Sequence, residues 1–134
     1  MWATDRASQA MGMKVEQVAP GKAIVSMTVR PDMIGVGDVC SRGAIFLLAD
    51  SALAFAANTR GQRVVAQYCD IVFDKTVGIG DQLVAEATER HLSDRKGIYD
   101  VRVQTLAGSV VAELRGHSHT LGEHLVESDR QSKP

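Results

Sequence analysis

Apolar positions change their period several times along the chain, and each change predicts an element. Residues 4–11 predict a short helix, capped by Thr4 and stopped by Gly12. Across residues 13–29, Val15, Val18, Ile24 and Val25 flank the turn dipeptide Pro20-Gly21, which predicts a strand hairpin. Pro31 closes that hairpin, and a loop containing Gly35 and Gly37 follows. Residues 42–58 are apolar around nearly the whole circumference of a helix, so a buried helix is predicted rather than a surface one. Ser41 is placed to cap it with its hydroxyl, and Gly61 to stop it. Strand-like runs then occupy 64–73, 82–91, 97–106 and 109–120, with turns at Gly78, Gly80 and Asp81 and at Ala107-Gly108. Residues 123–134 form a polar tail outside a single domain spanning 1–122.

The pattern is a hairpin, one buried helix and four antiparallel strands, an α+β architecture. A sheet of this size covers one side of the helix. A second copy of the chain is the simplest cover for the other.

Composition narrows the functional classes. The chain has 134 residues, with 45% hydrophobic and 23% charged side chains, as in ordinary globular domains. Fifteen Lys and Arg balance sixteen Asp and Glu, leaving none of the basic excess expected of a nucleic-acid binder. Two cysteines are too few for a disulfide framework. The most apolar stretch, 44–57, is short and interrupted by Asp50 and Ser51, so no membrane span is expected. A cytoplasmic protein is the expectation.

Asp50 is the first candidate for chemistry, because a carboxylate in the middle of a buried helix is costly unless it has a task or a partner. It shares a stripe with Gly43, Ala54 and Ala57, small residues that permit close approach of a backbone or ligand. The same pattern arises if the stripe merely reaches solvent. Arg42 and Gly43 open the helix, and their free N–H groups suit an anion or a developing oxyanion, as at any helix start. Gly35 and Gly37 let a ligand come close or only serve the turn. Cys40 lies just before the same helix start but has no histidine nearby in sequence, which favours a core cysteine over a nucleophile. His117 and His119 share a strand face, and with His124 they raise the question of metal; a fourth ligand is missing, and no metal is expected. Arg95, Lys96, Arg115 and His117 offer charge to a phosphate, or form a solvated sheet edge. Gln67 and Tyr68 neighbour the helix on the following strand, and alternation does not decide which of them faces the cleft.

The stretch Ser41-Arg42-Gly43-Ala44-Ile45-Phe46-Leu47-Leu48-Ala49-Asp50-Ser51-Ala52-Leu53-Ala54-Phe55-Ala56 resembles the central helix of hot-dog-fold acyl-CoA thioesterases of the phenylacetate-degradation (PaaI) type. Gly80-Asp81-Gln82-Leu83-Val84-Ala85, Gly97-Ile98-Tyr99-Asp100-Val101 and Arg115-Gly116-His117-Ser118-His119 agree in order and spacing. The resemblance implies a hot-dog fold, a long helix wrapped by a curved antiparallel sheet, in dimers with a continuous sheet and usually in tetramers. It implies hydrolysis of acyl-CoA, typically with aryl-acetyl groups, and needs no cofactor. It places the helix acid on Asp50, as nucleophile or general base, and the oxyanion N–H groups on Arg42 and Gly43. The sequence departs from the family at the helix start, where His-Gly-Gly is replaced by Ser41-Arg42-Gly43, and in the preceding loop, where the family's Asn falls on Gly35. Ser41 is the available substitute for the lost polar contact. Two alternatives follow: an acyl-CoA-binding relative without catalysis, and an enoyl-thioester hydratase with Asp50 as base.

Overall fold

The structure is a computed structural model that describes residues 1–124. Residues 125–134 of the expected tail lie outside the described residues. The elements are α1 (Arg6–Ala10), β1 (Lys14–Ala19), β2 (Lys22–Thr28), α2 (Arg42–Ala57), β3 (Gln62–Phe73), β4 (Gln82–Ser93), β5 (Lys96–Thr105) and β6 (Val110–His124). The strands form one antiparallel sheet in the order β1-β2-β4-β5-β6-β3. β3, which follows α2, therefore crosses to the far edge and pairs with the last strand.

Alternation is what wraps this sheet around α2. Ala23, Val25 and Met27 of β2, Leu83, Ala85 and Ala87 of β4, Val101 and Val103 of β5, and Ala112 and Leu114 of β6 are all buried on the helix side. Bulges at Val15/Gln17, Ala66/Tyr68 and Glu89/His91 supply curvature. Alanines on α2 (Ala49, Ala52, Ala56) let the strands come close, while Leu48 and Leu53 fill the wider gaps. Gly116 of β6 is required by that approach: a Cβ there would lie 2.6 Å from a Leu53 methyl carbon.

Local chemistry fixes the ends of α2. Ser41 caps its start, its hydroxyl accepting the Ala44 N–H at 3.2 Å. At the other end the Asn58 amide donates to the Ala54 and Val64 carbonyls and accepts the Val64 N–H, joining the helix to β3. The first helix differs from expectation. Residues Trp2–Thr4 form a 3-10 turn, and the cap of α1 is Asp5, whose carboxylate accepts the Ser8 N–H. Pro31 does more than end the hairpin, since it opens a second 3-10 turn, Pro31–Met33.

Candidate active site

The helix start borders an open cavity of ≈ 510 Å³, lined by Gly35, Cys40, Ser41, Arg42, Phe73 and Lys75 among others. The Arg42 and Gly43 amides belong to the first helical turn, where no intrahelical acceptor precedes them. The Arg42 side chain lies across the Phe73 ring, its guanidinium carbon 5.6 Å from the ring centre. Gly35 packs against the cap, since a Cβ there would sit 3.5 Å from that of Ser41. Cys40 is a core residue, 4% exposed, and burial pushes its thiol up rather than down. That environment suppresses a thiolate.

Asp50 sits two turns further along. It is half-buried on the one stripe of α2 that the sheet leaves open, with Gly43, Phe46, Leu47 and Ala54. Among the described residues its carboxylate has no hydrogen-bond or ion-pair partner. Burial raises its pKa, and the Asp5 charge raises it further. Cys69, on the helix side of β3, has a thiol pushed up by burial and then by the charges of Asp50 and Asp70. Arg42 and Asp50 are eight residues apart on one helix, about 12 Å along its axis. One chain therefore does not bring the amides of its helix start to its own Asp50.

The remaining candidates scatter. Tyr68 pairs with His117 across β3 and β6, and their rings meet edge-on with centres 5.4 Å apart. Gly116, the neighbour of His117, faces Leu53 of α2, so Tyr68 and His117 lie on the outer face of the sheet. Within one chain Tyr68 therefore points away from Asp50, and His117 lies on the outer sheet face, where it could meet a phosphate or only solvent. The bulge at Ala66/Tyr68 is the cause: it leaves Gln67 as the unpaired, exposed residue and resets the alternation. Lys96 is opposite His119 on the same outer face. Arg95 lines a separate cavity of ≈ 300 Å³ at the far end of α2, with Ala57, Arg60, Tyr99, Ser118 and Thr120. Arg115 is committed to Asp100, at 2.7 Å. No cluster of three potential metal ligands occurs among the described residues, and the His124 side chain lies outside them.

Two residues of the Asp50 neighbourhood escaped sequence reasoning, Asp5 and Cys69. The spacing Asp5-x-x-Ser8 was a capping signal, and Cys69 alternates with Ile71 and Phe73 toward the helix.

Known proteins agree with this architecture. The profile of the thioesterase superfamily matches residues 37–112. The acyl-coenzyme A thioesterase PaaI of Escherichia coli K12 is 36% identical over 122 residues, covering 91% of this chain and 87% of that protein. The solved structure of the E. coli PaaI protein, from the phenylacetic acid degradation operon, superposes with a TM-score of 0.91 at 35% identity, covering 92% of this chain and 90% of the other. A mutant structure of the phenylacetic acid degradation protein PaaI from Thermus thermophilus gives 0.84 at 38% identity, covering 87% and 100%. No described helix is long and apolar enough to cross a membrane. With a matching profile, a matching sheet and helix, and an unpaired acid midway along that helix, the chain belongs to the thioesterase superfamily and has its hot-dog fold.

Proposed function

We propose that this thioesterase hydrolyses acyl-CoA, with aryl-acetyl groups as the preferred acyl class, at sites built by two copies of the chain. The observation that carries the reading is Asp50: an acid without a partner, on the open stripe of an otherwise apolar helix. The Arg42 and Gly43 N–H groups hold the thioester carbonyl oxygen and stabilise the charge that develops on it. Asp50 either attacks the carbonyl carbon or takes a proton from the water that does. In the first case the C–S bond breaks to leave an acyl–Asp50 anhydride and the CoA thiolate, and water then hydrolyses the anhydride to the free acid. In the second the C–S bond of the water adduct breaks to give the free acid directly, and the proton held by Asp50 passes to the departing thiolate. No step calls for a metal or redox cofactor.

The 12 Å between donors and acid on one helix calls for the helix start of one protomer to face Asp50 of its partner, a separation of about eight residues at the helical rise. β3 supports that assembly. It is an edge strand that exposes Val72 and Tyr68, 60% and 59% accessible, as a strand awaiting a neighbour does. Pairing two such edges gives a continuous sheet and two equivalent sites; a dimer of dimers completes the assembly. The Arg95 cavity, with Arg60 beside it, suits the phosphate end of CoA. Both cysteines are free, as in a cytoplasmic protein.

The Ser41-Arg42 helix start favours one second reading, an acyl-CoA-binding protein without turnover. A panel of acyl-CoAs assayed for thiol release separates the two. Turnover that is fastest with phenylacetyl-CoA and is abolished by Asp50→Asn is expected; tight binding without thiol release would support the second reading. The pair Ser41→His and Arg42→Gly, which rebuilds the family's helix start, should raise the rate. A monomer of 14.4 kDa by light scattering at micromolar concentration would sink the two-copy site.

A further inference from the structure

The N-terminal segment brings a second acid to the site. Asp5 accepts the Ser8 amide at 3.1 Å and the Ser8 hydroxyl at 2.7 Å. The Ser8 hydroxyl also lies 2.7 Å from that of Ser51, and the two serines are 1% and 5% exposed. An ionised carboxylate only accepts, so Ser8 gives its proton to Asp5 and Ser51 gives its own to Ser8. The chain of bonds ends on α2 at the residue beside Asp50. Trp2 adds a second clamp against Phe55, one turn further on, with ring centres 6.1 Å apart. A helix as short as α1 does not hold itself in water; these contacts hold it here.

We propose that Asp5 is a positioning residue of the hydrolytic site: docked through Ser8 and Ser51, it keeps a fixed negative charge near Asp50 and makes Asp50 a stronger base toward water. The inference deepens the proposed thioesterase mechanism and rests on Asp50 being its base. A like charge beside a half-buried carboxylate disfavours its ionisation, so Asp50 holds a proton more tightly and takes one from water more readily. The raised pKa of Asp50 agrees in direction, with burial the larger cause and Asp5 the second. Cys69 of β3, whose thiol feels the charge of Asp50, is raised above its ordinary value of 9.0 and adds no charge at neutral pH. Capping alone would not need an acid, because Ser, Thr or Asn caps a helix about as well. Only a carboxylate also supplies the charge.

Asp5→Asn keeps the cap and the size and removes that charge. In the full-length protein, the Asp50 carboxyl carbon is titrated by NMR without substrate. The pH profile of kcat/KM for thiol release from phenylacetyl-CoA is recorded beside it. Both the NMR midpoint and the acidic limb of the profile should move together to lower pH. An unchanged midpoint in a folded Asp5→Asn protein overturns the proposal. A midpoint that falls while the kinetic limb stays put also overturns it, and shows the fault to be the assignment of Asp50 as base. If Asp5→Asn does not fold, Asp5→Ser retains a capping oxygen and carries the same test. A merely structural Asp5 would move the melting curve and neither midpoint.

Discussion

Asp50 and Asp100 are both part-buried aspartates, one on the helix side of the sheet and one on the outer side. Asp100 accepts two hydrogen bonds from Arg115, at 2.7 and 2.9 Å, and one from Arg90 at 2.9 Å. Those bonds, Arg115's foremost, hold its carboxyl below its ordinary pKa. Asp50 has no such partner, and burial with a neighbouring acid pushes it the other way. The same side chain thus serves two ends. Paired, it ties three strands of the sheet together; unpaired in an apolar wall, it keeps a proton affinity that chemistry can use. Local conflict with the rules of folding is what singles out Asp50 as the candidate acid.

The largest expected effect breaks that comparison at Asp50. Asp50→Asn should lower the rate of thiol release by a factor on the order of 10² or more, since an amide neither attacks a thioester well nor accepts a proton from water. Stability should move in the opposite sense. A carboxyl with a raised folded pKa favours the fold while protonated, at pH below its unfolded value, and loses that contribution as pH rises through the folded value. Asparagine avoids the loss, so the melting temperature at neutral pH should rise, and the difference should vanish in acid. A variant that is slower and also less stable at neutral pH would mean that Asp50 is held by bonds after all.

A second test separates the two faces within one strand. Gly116 faces the helix, and the Cβ of Gly116→Ala would meet the buried Leu53 at 2.6 Å. Overpacking there should cost about 1–3 kcal/mol in chemical denaturation. An alanine tolerated without loss would show that the sheet and α2 are less tightly apposed than this contact requires.

At the helix start the expected effect is smaller. Ser41→Ala removes the cap and should cost about 1 kcal/mol, read from the shift of the denaturation midpoint. The rate per folded protein should change little, because the oxyanion donors are backbone amides. A large loss of rate with little loss of stability would make the Ser41 hydroxyl a substrate contact.

How far each of these features could be read from sequence follows from the range of the forces behind it. The bounds of α2 were legible because its cap, Ser41, is adjacent to the apolar run it starts. Asp50 was legible because it interrupts that run. The four later strands were legible from short-range alternation and from turns such as Gly80 and Gly108, both at positive φ. The cap of α1 was not, since the choice of Asp5 over Thr4 is reinforced by a Ser8–Ser51 bond between residues 43 apart. The outward direction of Tyr68 and His117 was hidden by a bulge that alternation alone does not announce. The place of β3 at the sheet edge depends on pairing with β6, at the other end of the chain.

Asp100→Asn is the counterpart of the Asp50 substitution and should have the smallest effect. Asparagine keeps one acceptor for Arg115 but loses the charge, and the pair is partly exposed, with side-chain accessibilities of 54% for Arg115 and 30% for Asp100. Exposed ion pairs are screened and contribute little, so the melting temperature at neutral pH should fall by a few degrees at most. The sign with pH is opposite to that of Asp50. A carboxyl with a lowered folded pKa stabilises the fold above its unfolded value, close to the ordinary 3.8, and loses that contribution as pH falls through the folded value. The variant's deficit should therefore be present at neutral pH and shrink below about pH 4. Thiol release should stay at the unmodified rate, because Asp100 faces away from α2. A loss of activity comparable to that of Asp50→Asn, in a protein that still melts cooperatively, would place an essential group on the outer face and undo the division of roles between the two acids.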